Sequence, residues 1–235
     1  MVRASLLVLF ALACLLHHQQ VWAQVGKLYP VDEAYRDPSF FVFRARLMEA
    51  IQQRDEAFVL SILSPDITNS FGGDGGVEEF KEQWQPQRTD SALWKELMAV
   101  LVLGGSFRDN RNGRYFTAPY TVSNFPDFPS DVLEVFQGGV ILGENVLVRQ
   151  EPTADSPTIA TLSFDIVKVG ASNLQTRIPG VFSFYPPKQG WIKVQVEGGL
   201  EGFVPEEYIR YPLYYRAVFM KREGRWLLSA FVAGD

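Results

Sequence analysis

The sequence has very little thiol and imidazole. It contains one cysteine and two histidines among 235 residues, and Cys14, His17 and His18 all lie before residue 24. If the segment that holds them is removed, no disulfide is possible. Ser–His and Cys–His catalysis then lack a base or a nucleophile, and zinc sites lose their usual ligands. Only carboxylate, lysine, tyrosine or cofactor-borne chemistry remains for an enzyme.

The first 23 residues predict that this removal takes place. A positive start at Arg3 is followed by an apolar run from Ala4 to Leu16 and a small-x-small-like end at Ala23, which is typical of a secretory signal peptide. The run is shorter than the roughly 20 apolar residues that span a bilayer. We expect cleavage after Ala23 and a periplasmic or secreted protein. Lipidation at Cys14 is the less favoured alternative, because Ala11 stands where a lipoprotein box carries Leu.

The sequence also lacks a local cluster of basic residues. The chain has 22 Lys and Arg against 27 Asp and Glu, a net charge of −5. An acidic chain without a basic cluster is poorly suited to nucleic acid or to anionic membranes. We therefore expect no nucleic-acid partner, and no later apolar run is long enough to predict a transmembrane segment.

The most conspicuous motif is Gly72-Gly73-Asp74-Gly75-Gly76. It allows a phosphate-binding nest, or a Ca²⁺ site with Asp66, Glu78 or Glu79. It lacks the Lys-Ser/Thr of a P-loop and the alternating acids of an EF-hand. The favoured interpretation is a connector before a helix that starts at Val77. No cofactor and no metal site are predicted.

Periodicity divides the chain into a helical part and a β part. Helix signals begin at Pro38, Asp55, Val77 and Ser91, and short β-branched runs separated by Gly, Pro and Asp begin near Val132. Strands are also predicted at the following places: Ile67 to Phe71, Tyr115 to Val122, and a closing hairpin around Glu223-Gly224. Pro65 is expected to end the second helix.

Residues of about 140–210 resemble the bacterial Src homology 3 (SH3-like) domain. The resemblance rests on these segments in this order: Asn145-Val146-Leu147-Val148-Arg149, Ser156-Pro157, Ile159-Ala160-Thr161-Leu162, Ile166-Val167-Lys168-Val169, Trp191-Ile192-Lys193-Val194, Gly202-Phe203-Val204 and Tyr208-Ile209. It implies a small β-barrel with an aromatic groove for extended peptides and, in cell envelopes, contact with cell-wall peptide. Two features depart from the family: Phe164-Asp165 replaces a glycine turn, and residues 170–190 are longer than the usual loop.

Five aromatic residues are the candidate ligand-binding residues. They are Phe182, Phe184, Tyr185, Trp191 and Tyr208. Phe182, Phe184 and Tyr185 lie outside the expected strands and are the better surface candidates, because binding residues often lie on enlarged loops. Trp191 also fits a packing role within a strand. No catalytic residue is predicted.

The two ends of the chain resemble a nuclear-transport-factor-2-like α+β fold. The resemblance rests on Ala50-Ile51-Gln52-Gln53-Arg54-Asp55 and on the closing residues 224–235. It implies an α+β domain built from both chain ends, with the barrel inserted; a tandem arrangement is the alternative. A fold alone does not define a function.

The predicted fold class is α+β: a helical/α+β N-terminal part, a small SH3-like β-barrel, and a C-terminal β-hairpin that returns to the first part. The predicted segments are a signal peptide (1–23), a leader (24–37), a helical/α+β domain (38–131), the barrel (132–211) and the hairpin (212–235). The leading hypothesis is an exported, non-catalytic binding or scaffolding protein of the cell envelope that recognises cell-wall peptide or an envelope protein. The alternatives are a carboxylate/Tyr enzyme with a pocket in the cone-like part, and a structural or inhibitory partner of another envelope protein.

The signal-peptide hypothesis makes a direct prediction. Intact-mass analysis of the protein isolated from cells should give a chain that starts at Gln24, because Ala23 ends the cleavage motif. Cys14→Ser should leave this mass unchanged, since the cysteine is discarded. A lipid-modified chain that starts at residue 14, or one that keeps residues 1–23, would contradict the hypothesis.

Overall fold

The computed structural model describes residues 26–111, 113–126, 138–169, 190–196 and 199–234, with the backbone alone for 174–178 and 181–184. The predicted signal peptide lies outside these residues. The described chain forms two units. The α+β unit contains Tyr29 to Pro126 and Tyr211 to Gly234, and the β unit contains the residues through Leu28 and from Gly138 to Arg210. No helix in the described ranges is long and apolar enough to cross a membrane.

The elements are numbered in chain order. The helices are α1 (Pro38–Gln53), α2 (Glu56–Ser61), α3 (Gly76–Trp84), α4 (Ala92–Leu101) and α5 (Tyr120–Ser123). The strands are β1 (Leu63–Thr68), β2 (Ser106–Asn110), β3 (Gly113–Ala118), β4 (Gly138–Ile141), β5 (Val146–Arg149), β6 (Thr158–Leu162), β7 (Ile166–Val169), β8 (Leu174–Ile178), β9 (Val181–Phe184), β10 (Trp191–Gln195), β11 (Glu201–Pro205), β12 (Ile209–Arg210), β13 (Arg216–Arg222) and β14 (Arg225–Val232). Short 3₁₀ turns lie at Ala34–Arg36 and Glu206–Tyr208. The α+β class is therefore confirmed.

The sheet of the α+β unit joins strands from both ends of the chain. Its order is β1-β14-β13-β3-β2, with β1 parallel to β14 and the other pairs antiparallel. In the register, Ala217 of β13 lies opposite Ala118 of β3, and Leu228 of β14 lies opposite Leu63 of β1. The C-terminal hairpin thus forms the middle of this sheet, and the unit is discontinuous in sequence.

Aspartates fix the starts of the first two helices. The Asp37 carboxylate accepts hydrogen bonds from the backbone N–H groups of Ser39 (2.9 Å) and Phe40 (3.1 Å), and Pro38 occupies the first turn of α1. Asp55 accepts from the N–H of Phe58 at 2.9 Å. These contacts satisfy donors that have no partner inside a helix. Local sequence is enough to place both helix starts.

Two predicted boundaries were wrong. The second helix ends at Ser61, and Pro65 lies inside β1. This is possible because β1 is an edge strand of its sheet, where a residue without an N–H group is tolerated. The strand predicted to run from Tyr115 to Val122 ends at Ala118, since Pro119 cannot donate a ladder hydrogen bond and α5 follows it.

Phe40 lies at the centre of the aromatic core of the α+β unit. It is fully buried, and its ring centroid lies 4.3 to 5.9 Å from those of five other rings. These belong to Phe43, Phe107, Phe116, Phe219 and Trp226. The ring pairs join α1 to β2, β3, β13 and β14, so one helix position holds the helix against four of the five strands.

The β unit consists mainly of one antiparallel sheet. Its order is β12-β4-β7-β10-β11-β5-β6, and β8 pairs separately with β9. In the described residues the seven-stranded sheet does not close into a barrel. Phe164, which stands where the SH3-like family has a glycine turn, has a φ of 59°. This left-handed conformation is the one that glycine adopts most readily.

The position of Phe40 predicts a large difference between two adjacent phenylalanines. Phe40→Ala should lower the free energy of unfolding by about 3–5 kcal/mol, because it opens a cavity in the aromatic core. Phe41→Ala should change it by less than about 0.5 kcal/mol, since half of the Phe41 side chain is exposed. Urea unfolding followed by circular dichroism measures both. Equal losses for the two variants would contradict this packing.

Candidate functional site

One face of the β unit combines aromatic and cationic side chains. Along β5, β10 and β11, buried residues alternate with partly exposed ones, so the buried set packs inside and the other set faces outward. Of the outward set, the following residues are named here the β10 face: Leu147, Arg149, Trp191, Lys193, Phe203 and Pro205.

The strand register brings these side chains together. Trp191 lies opposite Pro205, and Lys193 lies opposite Phe203. On the other side of β11, Phe203 lies opposite Arg149. Side chains that are directly opposite on antiparallel strands share a face and are in reach of each other. Phe203 is therefore flanked by two cations, and Trp191 borders the same face.

Both cations on the β10 face are held in place. The Arg149 guanidinium donates from Nη1 to the carbonyl of Ser156 and to Oγ1 of Thr158, each at 2.9 Å. Lys193 Nζ lies 2.6 Å from a carboxylate oxygen of Glu201. Because Lys193 is paired with Glu201 and these acceptors of Arg149 are neutral, the face keeps the positive charge of Arg149. Its chemical character is that of an aromatic patch with a fixed polar border.

The five predicted ligand-binding residues have different positions. Trp191 lies on the β10 face. Tyr208 is exposed in the 3₁₀ turn after β11, and its backbone carbonyl accepts from the N–H of Leu142 at 2.9 Å. Phe182 and Phe184 lie in β9, opposite Thr176 and Leu174 of β8, so both belong to a strand. Tyr185 lies outside the described residues.

Sequence reasoning missed most of the β10 face. Phe203 is not among the five candidate residues, although the pattern Glu201-Gly202-Phe203-Val204-Pro205 alternates and places Phe203 on the side opposite Val204. The alternation was visible in the sequence. What the sequence did not show is that Arg149, about fifty residues earlier in the chain, lies beside Phe203.

In the α+β unit, hydrophobic side chains fill the space in which the enzyme hypothesis requires a pocket. The space between its helices and sheet is occupied by fully buried Phe40, Phe80, Phe116, Phe219 and Phe231. Acid–base catalysis commonly uses a carboxyl group whose pKa is raised by burial. The described carboxyl groups with a shifted pKa are Asp37, Asp66 and Asp90, and each is shifted downward. Burial raises the pKa of Tyr120 to about 12, and only 1% of that side chain is exposed.

The glycine-rich loop surrounds a carboxylate of the chain itself. The backbone N–H of Gly75 donates to Oε2 of Glu79 at 2.5 Å, and Asn69 Nδ2 lies 3.4 Å from the same oxygen. Ser70 Oγ lies 3.4 Å from Oε1 of Glu79. Glu79 therefore takes the Gly75 N–H, one of the backbone donors that a phosphate nest would need. In the described ranges, no group of three or more Asp, Glu, His or Cys side chains is placed to hold a metal ion.

Ser39 and Lys221 form a pair that resembles a Ser–Lys catalytic dyad in distance alone. Lys221 Nζ donates to Ser39 Oγ at 2.9 Å, and Trp226 Nε1 donates to the same oxygen at 3.0 Å. The Ser39 hydroxyl donates to Asp37 at 2.6 Å. Activation of a serine requires a base that takes this proton. Here the proton is directed to the helix-capping carboxylate and Lys221 is exposed, so the pair joins the start of α1 to the sheet.

The Ser39 contact predicts a specific pH dependence. The hydrogen bond from the Ser39 hydroxyl lowers the pKa of Asp37. The backbone N–H groups of Phe40 and Ser39 and the charge of Lys221 also lower this pKa, whereas burial raises it. The unfolded chain therefore takes up this proton first as the pH falls. Stabilisation by ionised Asp37 is complete above the ordinary aspartate pKa and is lost as the pH falls through the lowered one.

Asp37→Asn should reduce the loss of unfolding free energy between about pH 5 and about pH 2.5, because asparagine still caps a helix but does not titrate. Ser39→Ala should reduce that loss in the same direction, since it removes the largest cause of the shift. Urea unfolding at a series of pH values measures both. Identical pH profiles for the wild type and the two variants would show that Asp37 is not held in this way.

Comparison of the chain with protein-family models, with curated proteins and with solved structures finds no match.

Proposed function

We propose that the protein is an exported, non-catalytic binding or scaffolding protein of the cell envelope. Its β unit is an SH3-like domain that holds an extended peptide on the β10 face. The peptide comes from the cell wall or from an unfolded segment of an envelope protein. The observation that carries this proposal is the register that places Phe203 between Arg149 and Lys193, with Trp191 on the same face.

The arrangement of the strands supports the SH3-like part of the proposal. Strands β5, β6, β7, β10 and β11 fall on the sequence segments that carry the resemblance, and their mutual pairs are all antiparallel. The left-handed backbone at Phe164 occupies the position of the family's glycine turn. These features fit the family's connectivity, although the chain departs from its usual residue at this turn.

The composition of the β10 face supports peptide binding. Tryptophan and arginine are enriched where proteins bind partners, because they offer a large contact area together with hydrogen-bond donors. Trp191 and Phe203 are only partly exposed, so their orientation is set by packing before a ligand arrives. An extended peptide presents alternate side chains to such a surface. Pro205 and Leu147 add apolar area at its border.

The expected localisation limits the partners that the protein can meet. The predicted signal peptide directs the protein to a compartment where cell-wall peptide and envelope proteins are the available extended peptides. The scarcity of basic clusters disfavours nucleic acid. The filled core and the downward pKa shifts of Asp37, Asp66 and Asp90 favour binding over the carboxylate enzyme.

The proposal is tested by co-sedimentation of the mature protein with purified cell-wall sacculi. Trp191→Ala and Phe203→Ala should each lower the bound fraction several-fold, because they remove the two aromatic contacts of the face. Leu200→Ala is the matched control, since Leu200 is exposed in the same unit but lies in the turn between β10 and β11. It should bind like the wild type.

A second arm separates the two sources of peptide. The same four proteins are immobilised and incubated with an envelope extract from which sacculi have been removed. Loss of one captured envelope protein with Trp191→Ala and Phe203→Ala, and not with Leu200→Ala, supports a protein partner. If both arms show either no binding or equal binding by all four proteins, the β10 face is not a peptide-binding site.

A further inference from the structure

Arg149 is a cation of the β10 face whose partners are neutral. Its guanidinium donates to the carbonyl of Ser156 and to Oγ1 of Thr158. In the part of the chain that the structure describes, no ion pair includes Arg149, whereas Lys193 pairs with Glu201. A guanidinium stays protonated at physiological pH. The face therefore presents a fixed positive charge that no carboxylate of the described residues neutralises.

Part of the hydrogen-bonding capacity of Arg149 is unused. A guanidinium has donors on Nη1, Nη2 and Nε, and the bonds to Ser156 and Thr158 both leave from Nη1. Among the described residues, Nη2 and Nε have no acceptor. Neither atom is one of the buried polar atoms without a partner, so both are accessible to solvent. A carboxylate can accept two parallel hydrogen bonds from this pair of nitrogens, which is the strong geometry for an arginine and a carboxylate.

The strand register places an apolar site beside this cation. In one row across the strands, Trp191 lies opposite Pro205. In the next row, two residues further along each strand, Phe203 lies between Lys193 and Arg149. The rows are roughly 6.6–6.8 Å apart, because a strand rises about 3.3–3.4 Å per residue. Alternate side chains of an extended peptide have the same spacing, so a peptide with one side chain on the first row brings the next side chain of that face to the second row.

The surroundings of Arg149 favour a charged contact. Arg149 and Phe203 are each partly buried, and side chains directly opposite on antiparallel strands lie in reach of each other. An apolar neighbour displaces water, and an ion pair is stronger where water is partly excluded. The Nη1 bonds orient the guanidinium before a ligand arrives, so little side-chain entropy is lost on binding.

We infer that the β10 face selects peptides in which a carboxylate lies two residues from an apolar side chain. The carboxylate accepts hydrogen bonds from Nη2 and Nε of Arg149, and the apolar side chain packs on Trp191 and Pro205. The inference rests on the proposed function, because it names the chemistry of the peptide that this face holds. The carboxylate is either the free C-terminal end of a peptide or an acidic side chain, and both offer the same pair of oxygens to the guanidinium.

The test is NMR titration of the isotope-labelled mature protein with three acetylated hexapeptides. The first, acetyl-Ser-Val-Ser-Val-Ala-Ala, ends in a free carboxylate, and the second is the same peptide with a C-terminal amide. The third, acetyl-Ser-Val-Ser-Val-Ala-Glu with a C-terminal amide, carries its carboxylate on a side chain. The indole N–H signal of Trp191, identified by its absence from Trp191→Ala, reports on the β10 face.

At least one of the two carboxylate peptides binds roughly fivefold or more tightly than the neutral amide, because it adds a pair of charge-assisted hydrogen bonds. Raising the NaCl concentration from about 0.05 M to about 0.5 M removes most of this difference, since salt screens an accessible ion pair. A gain for the first peptide alone identifies a chain end as the ligand, and a gain for the third alone identifies an acidic side chain.

Protein variants connect this preference to the charge of the face. Arg149→Gln abolishes the preference, and thermal unfolding shows whether the variant is folded without the bonds to Ser156 and Thr158. Glu201→Gln leaves those bonds intact and removes a negative charge from the face, so it tightens binding of the carboxylate peptides roughly twofold. Glu78→Gln is the matched control, because it also removes the carboxylate of an exposed Lys–Glu pair, but in α3. It binds like the wild type.

Equal binding of all three peptides by the wild type overturns the inference, as does absence of binding by all three. So does a carboxylate preference that Arg149→Gln keeps, or one that Glu201→Gln and Glu78→Gln change equally; if Arg149→Gln is not folded, Glu201→Gln decides. The proposed function is judged separately. If Trp191→Ala weakens every peptide and no carboxylate preference exists, the face binds peptides and only this inference fails. If no peptide binds, the sacculus and extract experiments decide on the proposed function.

Discussion

The α+β unit depends on the pairing of its C-terminal hairpin with strands from the first half of the chain. β13 pairs with β3 and β14 pairs with β1, so without the hairpin β1 has no partner and β2–β3 is an isolated two-stranded ribbon, which is marginally stable in water. The backbone N–H of Leu228 donates to the carbonyl of Ile62 at 2.7 Å, across more than 160 residues. The aromatic core forms on the same sheet, because Phe219 and Trp226 of the hairpin contact Phe40 of α1. Secondary structure and core therefore form together in this unit, and closing so long a loop costs conformational entropy that the core must offset.

The candidate binding surface is built from elements that are already fixed. On the β10 face, the strand register sets the spacing of Trp191, Phe203 and Arg149, and Arg149 is further held by Ser156 and Thr158. Between α3 and α4, hydrogen bonds from Trp94 and Ser91 likewise hold the connecting backbone. A rigid surface loses little entropy when it binds, so modest contact areas give useful affinity. Side chains that are oriented in advance by packing and by hydrogen bonds to the backbone fit the binding role proposed above.

The polar groups that resemble catalytic parts serve to stabilise the fold. Glu79 fills the glycine-rich loop, and Ser39 connects Asp37, Lys221 and Trp226. In each case a proton donor or a negative charge is already matched by a partner in the chain. Burial of the hydrophobic residues between helices and sheet leaves the aromatic rings of the α+β unit in contact with one another. Reactive groups need unmet hydrogen-bonding capacity or a pKa shifted in the direction that suits the reaction.

Local features of the sequence determined the helix starts at Asp37 and Asp55, the hairpin turn at Glu223-Gly224, and the alternation that separates the two faces of β10 and β11. Each depends on residues within a few positions of one another, where backbone geometry and capping act. The sequence did not reveal that Pro65 is compatible with a strand, because that depends on β1 being at the edge of its sheet. Trp84, Trp94 and Trp226 are all buried, and only the fold determined that two of their indole N–H groups have an acceptor and one does not. The approach of Arg149 to Phe203 and of Tyr215 to Trp84 was likewise decided by tertiary structure, since contacts between residues far apart in the chain depend on strand register and helix packing, which no local pattern encodes.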